Sequence, residues 1–266
     1  MASVVIGVTP EPPPALVTVV RDPELLAETV AAGLLTRLVE VQAERGTASV
    51  VLTGGGVGIA TLEAVRRSRV RDAVDWRRVD VWWGDERFVA GDSSERNDVQ
   101  AREALLDALD LDPERVHPMG APGGPDGDDP DAAAERYTGS LAAAAAGQKD
   151  RSDALTPAFD VLLLGMGPEG HTASIFPESP AAHDERTVLA VHDCPKPPPT
   201  RVSLGLTALN AARQVWFVVA GEAKAAMVAV SVPGTAPVQV PAAGVRGTER
   251  TRWLLDEAAA ARLPGR

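Results

Sequence analysis

His171 and Glu169 stand two residues apart in FDVLLLGMGPEGHTASIFP (Phe159–Pro177), just past an apolar run and inside a turn carrying Gly165, Gly167 and Gly170. An imidazole titrates near neutrality, at about 6.5, so a histidine exposed at such a turn can take a proton from water at pH 7. A carboxylate two residues earlier is placed to orient or polarise it. Three further polar groups share the position just beyond an apolar stretch. Thr53-Gly54-Gly55-Gly56-Val57-Gly58 follows ASVVL, and its glycines let backbone N–H groups approach an anion closely at a helix start. By itself that turn serves equally well as a tight strand–helix connection. Asp85, Glu86 and Arg87 follow VDVWWG, with Asp92, Glu95, Arg96 and Asn97 beyond, a group that also fits a solvated charge run. The last group is dispersed: Arg201 opens RVSLGL, and Lys224 falls in the first turn after VWFVVAG. A cation at a helix N-terminus opposes the helix dipole, which makes sense if it holds an anion there and otherwise marks an ordinary exposed lysine.

The elements that must position these residues follow from periodicity. Asp22-Pro23-Glu24 reads as an N-cap, a first-turn proline and a dipole-matched acid, and Leu26, Val30, Leu34, Leu38 and Val41 recur at helical spacing up to a stop at Gly46. Ala48–Thr53 and Val79–Trp83 read as strands. So do Phe159–Leu164, Thr187–Val191, Arg201–Leu206, Val215–Val219 and Trp253–Leu255. Helices are expected from Ile59 to Arg66, Asp98 to Leu109, Asp131 to Ala146 and Glu222 to Val230, with a short one from about Thr172 and another begun by a Thr207 cap. Gly84 to Asn97 is expected to be a polar loop, and GAPGGPDGDDP (Gly120–Pro130) a turn-rich surface connection. Strands apolar on both faces, alternating with helices, predict an α/β fold with a mostly parallel sheet covered on both faces. In such sheets ligands gather at the carboxyl ends of the strands, where all four polar groups fall.

The chain has 266 residues, 45% hydrophobic and only 4% aromatic, which fits one large domain spanning 1–266 with an aliphatic core. A net charge of −11 argues against a nucleic-acid partner and requires any anionic ligand to be held by local cations and amides. Cys194 is the one cysteine and cannot form an internal disulfide, which is compatible with a cytoplasmic protein. Residues 1–20 carry no basic segment leading into an unbroken apolar stretch, so no signal peptide is expected. No run long enough to span a membrane is present, and no partner membrane is expected. Neither an H-E-x-x-H pattern nor a cysteine cluster suggests a metal, and no G-x-S-x-G elbow suggests a serine nucleophile. The glycines at 54–58 match neither the phosphate loop of nucleotide hydrolases nor G-x-G-x-x-G.

Together, LTGGG (Leu52–Gly56), WGDERFV (Trp83–Val89) with DSSERN (Asp92–Asn97), LLGMGPEGHTASIFP (Leu163–Pro177), RVSLGL (Arg201–Leu206) and VVAGEAKAAMV (Val218–Val228) resemble the 6-phosphogluconolactonase family, in that family's order. PAAGVR (Pro241–Arg246) and TRWLLDEAA (Thr251–Ala259) are similar too, so the likeness covers about residues 15–262. The resemblance implies a glucosamine-6-phosphate deaminase-like fold with a small flanking subdomain. It implies hydrolysis of 6-phospho-D-glucono-1,5-lactone by a monomer without metal or organic cofactor. It further implies that His171 is the general base with Glu169 beside it, and that Arg87 is the cation near the reacting lactone. Thr53, the amides of Gly54, Gly55 and Gly56, Arg201 and Lys224 would hold the phosphate, with Asp85 and Asn97 also at the substrate. The family more often has aspartate where this chain has Glu169. Two other readings fit part of the pattern: an aminosugar-phosphate deaminase/isomerase, whose N-E-P-like stretch is replaced here by Ala173–Pro177, and a non-catalytic sugar-phosphate sensor.

Overall fold

The computed structural model describes residues 14–149, 151, 154–234 and 239–265; most of the segment searched for a signal peptide, residues 1–13, lies outside them. Strand β1 (Leu16–Val20) leads into helix α1 (Pro23–Arg45). Asp22 caps α1 by accepting from the Leu25 amide, and Gly46 ends it at φ 80°, the left-handed conformation that glycine adopts without strain. Then come β2 (Ala48–Leu52), α2 (Gly56–Arg67), β3 (Val79–Trp83), β4 (Asp85–Arg87), α3 (Asn97–Ala104) and α4 (Pro130–Ala146). The remainder comprises β5 (Val161–Leu164), β6 (Val188–Val191), β7 (Arg201–Leu204), α5 (Leu206–Leu209), β8 (Gln214–Val219), α6 (Ala225–Ser231) and β9 (Arg250–Asp256).

Six strands form one parallel sheet in the order β1-β9-β8-β5-β2-β3, and β4-β7-β6 form a separate antiparallel sheet that flanks it. Side chains of a strand point alternately to its two faces, and the large sheet buries both. Val50, Leu52, Val161, Leu163, Trp216 and Leu254 pack under α1, α2 and α3. Their neighbours Val51, Leu162, Leu164, Phe217, Trp253 and Leu255 pack on the opposite face with α4 and the small sheet. This double burial is why these strands are continuous apolar runs in the sequence. The chain builds outward from β2 to β3 and then returns to β5, β8 and β9 on the other side, so the strand order reverses between β2 and β5. That switch point opens a crevice at the carboxyl ends of those two strands.

Four expectations need correction. The Gly84–Asn97 stretch is not all loop: β4 pairs with β7, with Asp85 opposite Ser203 and Arg87 opposite Arg201. No helix begins near Thr172, where a tight turn joins Thr172 to Ile175, because local polar side chains bond elsewhere. Thr172 Oγ1 donates to the Gly165 carbonyl, and buried Ser174 donates to Asp85. Thr207 is inside α5 rather than its cap; Gly205 stands at that position and the Thr207 hydroxyl donates to the Glu185 carbonyl. The helix expected from Asp98 to Leu109 ends at Ala104, with a 3-10 turn at Leu106–Ala108 beyond it. Strand β1, which the sequence pattern did not suggest, pairs with β9 along its whole length.

Candidate active site

A cleft of about 340 Å³ lies over the switch point. Its walls include Thr53, Gly54, Gly55, Gly56, Asp85, Arg87, Asn97, His171, Arg201 and Lys224, so ten of the eleven residues singled out from the sequence meet there. Glu169, the eleventh, is not in the wall but stands directly behind His171.

The large sheet contributes an anion-ready floor. α2 starts without any capping side chain or first-turn acid, its N-cap Gly55 at φ 84°. Its first amides therefore lack intrahelical partners and open toward the cleft with the positive end of the helix dipole. Gly54 has no room for a side chain, since a Cβ would come 2.0 Å from Asn97 Oδ1. Thr53 Oγ1 accepts from the Gly165 amide at 3.3 Å, tying the ends of β2 and β5 together. Across from α2, Lys224 sits at the N-cap of α6. Burial, and then the charge of Lys196, hold the Lys224 ammonium below its ordinary value. A half-buried lysine in such a place gains most by meeting an anion.

The small sheet contributes the guanidinium groups. Arg87 and Arg201 are direct cross-strand partners, and like charges directly opposite in a ladder are unfavourable. Arg87 is held by the Glu95 carbonyl. Arg201 is buried, with Nε donating to Pro198 O at 2.9 Å and Nη2 to the carbonyls of Lys196 and Pro197, both at 3.2 Å. Much of Arg201 is thus spent on fixing the 196–198 loop, which leaves Arg87 the freer fork. Asp85 is pinned by Ser174 Oγ at 2.6 Å and by Asn97, whose Nδ2 donates to the Asp85 carbonyl at 2.8 Å. The neighbouring Glu86 faces away from the cleft. It accepts the amides of Arg87, Asn97 and Asp98 and lies 3.6 Å from the buried Arg96 guanidinium, so this pair anchors the start of α3.

His171 sits on the turn where β5 ends. The His171 ring stacks on Phe176 at 4.4 Å between centroids and passes so close to Gly167 that a Cβ there would lie 2.1 Å from Nδ1. Nδ1 is buried, with Glu169 Oε1 3.1 Å away but off the hydrogen-bond axis, so Glu169 is a charge neighbour rather than an aligned acceptor. This leaves Nε2 to face the cleft. Burial lowers the pKa of His171, the Glu169 charge raises it and Lys196 lowers it, and the balance falls below the ordinary histidine value. The ring is therefore neutral, and able to accept a proton, at pH 7. Burial is the largest single influence and works against ionised Glu169, but the hydrogen bond from Lys196, a backbone amide and the charges of His171 and Lys196 together keep this carboxyl below the ordinary range.

Lys196 is the charged cleft side chain that sequence reasoning missed. Its Nζ lies 2.8 Å from Glu169 Oε1 and it lines the cleft, yet it comes from a proline-rich loop, CPKPPP (Cys194–Pro199), with no strand end to point to it. The only signal was a lysine fixed among prolines. Among the described residues, no three His, Cys, Asp or Glu side chains gather as a metal site, and no helix is long and apolar enough to cross a membrane.

An imidazole, a guanidinium fork and an uncapped helix start thus share one crevice of a doubly covered parallel sheet in an α/β protein. The chain belongs to the glucosamine-6-phosphate isomerase/6-phosphogluconolactonase family, whose model matches residues 21–253. It is 55% identical over 245 residues to a 6-phosphogluconolactonase of Streptomyces coelicolor, covering 92% of this chain and 93% of that one. It is 48% identical over 244 residues to the Mycobacterium tuberculosis 6-phosphogluconolactonase, covering 91% and 96%. Among solved structures, the Trypanosoma brucei 6-phosphogluconolactonase superposes with a TM-score of 0.77 at 26% identity, covering 95% of this chain and all of that one. A monomeric glucosamine-6-phosphate deaminase shares the fold at a TM-score of 0.73 and 19% identity.

Proposed function

We propose that this chain hydrolyses 6-phospho-D-glucono-1,5-lactone to 6-phospho-D-gluconate, the second step of the oxidative pentose phosphate pathway. The observation that carries this reading is that His171, set against Gly167, shares one cleft with an uncapped helix start and Lys224. The α2 amides, Thr53 and Lys224 hold the 6-phosphate, which fixes the remote lactone carbon near His171. Nε2 of His171 takes a proton from water as the water oxygen bonds to C1. Arg87 meets the charge that develops on the former carbonyl oxygen. When that intermediate collapses, the bond from C1 to the ring oxygen breaks. The proton held by His171 passes to the departing oxygen, which becomes the 5-hydroxyl. The δ-lactone is already an activated ester, so these parts suffice without a covalent intermediate or a metal. The same reading makes the protein a cytoplasmic monomer acting as a single domain of residues 1–266.

The test is lactone hydrolysis above its spontaneous rate, with glucosamine 6-phosphate as the control substrate. We expect turnover of the lactone alone, and a loss on the order of 10²–10⁴ in kcat for His171→Ala with binding of 6-phosphogluconate retained. Equal rates for wild type and variant would sink the mechanism, and release of ammonia from the control would favour the deaminase reading.

A further inference from the structure

Far from the catalytic turn, toward the amino ends of β8 and β9, α1 and these two strands enclose a second groove of about 330 Å³. Arg250 and Arg252 are two residues apart on β9 and so project from one face, opposite Gln214 and Trp216 on β8. The Arg252 guanidinium lies over the Trp216 indole, 4.6 Å from its centre. Trp216 Nε1 is itself tied to Gln214 Oε1 at 3.0 Å, which fixes the indole as a flat floor. Arg37 of α1 completes the wall, and its Nε is buried with no protein partner.

The charges do not balance. Of the acids nearby, Glu40 lies 3.5 Å from Arg37, while Glu249 is shared between Arg37 at 3.7 Å and Arg213 at 2.9 Å. Among the described residues, neither Arg250 nor Arg252 has a carboxylate within salt-bridge distance, and neither side chain donates a hydrogen bond. Burial, and then the charge of Arg250, hold the half-buried Arg252 guanidinium below its ordinary value. Arg250 is exposed and Arg252 half-buried beside it, so the two like charges repel with no carboxylate near enough to offset them, although the chain as a whole carries a net charge of −11. Helix α1 makes the same point. Gly33 interrupts its interior, at a cost of about 1 kcal/mol relative to alanine. A Cβ there would stand 3.3 Å from the Trp216 ring and 3.6 Å from Arg252 Nη1, so the glycine leaves space for the stacked pair.

We propose that this groove is a second anion site, distinct from the catalytic cleft, that takes the phosphate of a small phosphorylated molecule. The free forks of Arg250 and Arg252 supply paired N–H donors matched to phosphate oxygens. Arg37 is already shared with Glu40 and Glu249, and Glu40 itself lines the groove, so the anion rests chiefly on the Arg250–Arg252 pair. The groove is nearly as large as the catalytic cleft, 330 against 340 Å³, and therefore admits a body attached to the phosphate.

The test is titration calorimetry of the whole chain with inorganic phosphate and with 6-phosphogluconate, on wild type, Arg250→Gln/Arg252→Gln and Lys224→Ala. Two sites per chain are expected in wild type. The double glutamine variant should lose one of them, with at least a tenfold weakening, and keep wild-type lactone turnover; Lys224→Ala should weaken the other. Inorganic phosphate binding as tightly as the phosphorylated sugar would identify the free ion as the ligand, and tighter binding of the sugar phosphate would identify an organic phosphate. If the double variant does not fold, Arg252→Lys keeps the charge but loses the planar fork, and should weaken the second site severalfold. A single site in wild type, or two sites untouched by substitution at Arg250 and Arg252, would overturn the proposal.

Discussion

Burial and two charged neighbours act on the His171 pKa in opposite directions. Burial favours the neutral ring, Glu169 favours the charged ring and Lys196 opposes it. The folded value is below the ordinary one, so the fraction of neutral base stays high until the pH falls under about 6.5. The acid limb of kcat/KM is therefore expected below that point. Lys196→Met removes a cation that disfavours the imidazolium, so the pKa rises and the limb moves toward neutral pH. Glu169→Gln removes the anion that favours the imidazolium, so the pKa falls and the limb moves further into acid. These opposite displacements are read directly from pH–rate profiles of the two variants, and shifts of the same sign would refute the electrostatic account. The extra methylene of Glu169 compared with aspartate gives the carboxylate reach to touch Lys196 and the ring together, with Nδ1 3.1 Å and Nζ 2.8 Å away.

At the scale of elements, the strands and turns that carry the site were legible in the sequence to unequal degrees. β2, β3, β5 and β8 were clear because burial on both faces leaves each mostly apolar, broken only by Ser49 in β2, Asp80 in β3 and Gln214 at the start of β8. α1 was clear because its cap, first-turn proline and glycine stop are all local signals. β4 was not, since it has only three residues, all charged, and exists through pairing with β7 more than 100 positions away. β1 is a partly exposed edge strand with weak patterning. The turn after β5 was correctly placed but wrongly continued as helix, because Ser174 and Thr172 find tertiary partners that periodicity does not reveal. Lys196 was missed for the same reason. Gly167 belongs to this scale as well: its need for glycine comes from the ring above it and not from its backbone angle, since it is absent from the positive-φ positions. Gly167→Ala is thus compatible with the fold but must displace His171. A misplacement of about 1 Å can cost on the order of 10²-fold in rate, and that drop in kcat is expected with little change in thermal midpoint. Wild-type kcat in a folded Gly167→Ala protein would show that the ring position is not critical.

For the whole molecule, the cleft is where two sheets of different construction meet. The parallel sheet brings the amides of α2 and Lys224, while the antiparallel sheet brings Arg87 and Arg201, and His171 lies on the turn between them. A sugar phosphate must then touch both sheets, and phosphate alone needs only the first. Backbone amides at the start of α2 lack helical partners, so they exchange freely with solvent until an anion accepts their hydrogens. The loop bearing Lys196 rests on Arg201 through three carbonyls and can gain protection only when the sugar end of a ligand reaches it. We therefore expect hydrogen exchange in 6-phosphogluconate to slow in peptides covering both 53–58 and 196–201. Saturating inorganic phosphate should slow the first segment alone. Ligand at about 100 times its dissociation constant should also stabilise the fold by about 2.7 kcal/mol, enough to register as a rise in thermal midpoint. Protection at 196–201 with inorganic phosphate, or none at 53–58 with either ligand, would mean that the phosphate does not sit on α2 and that the orientation assigned to the lactone is reversed.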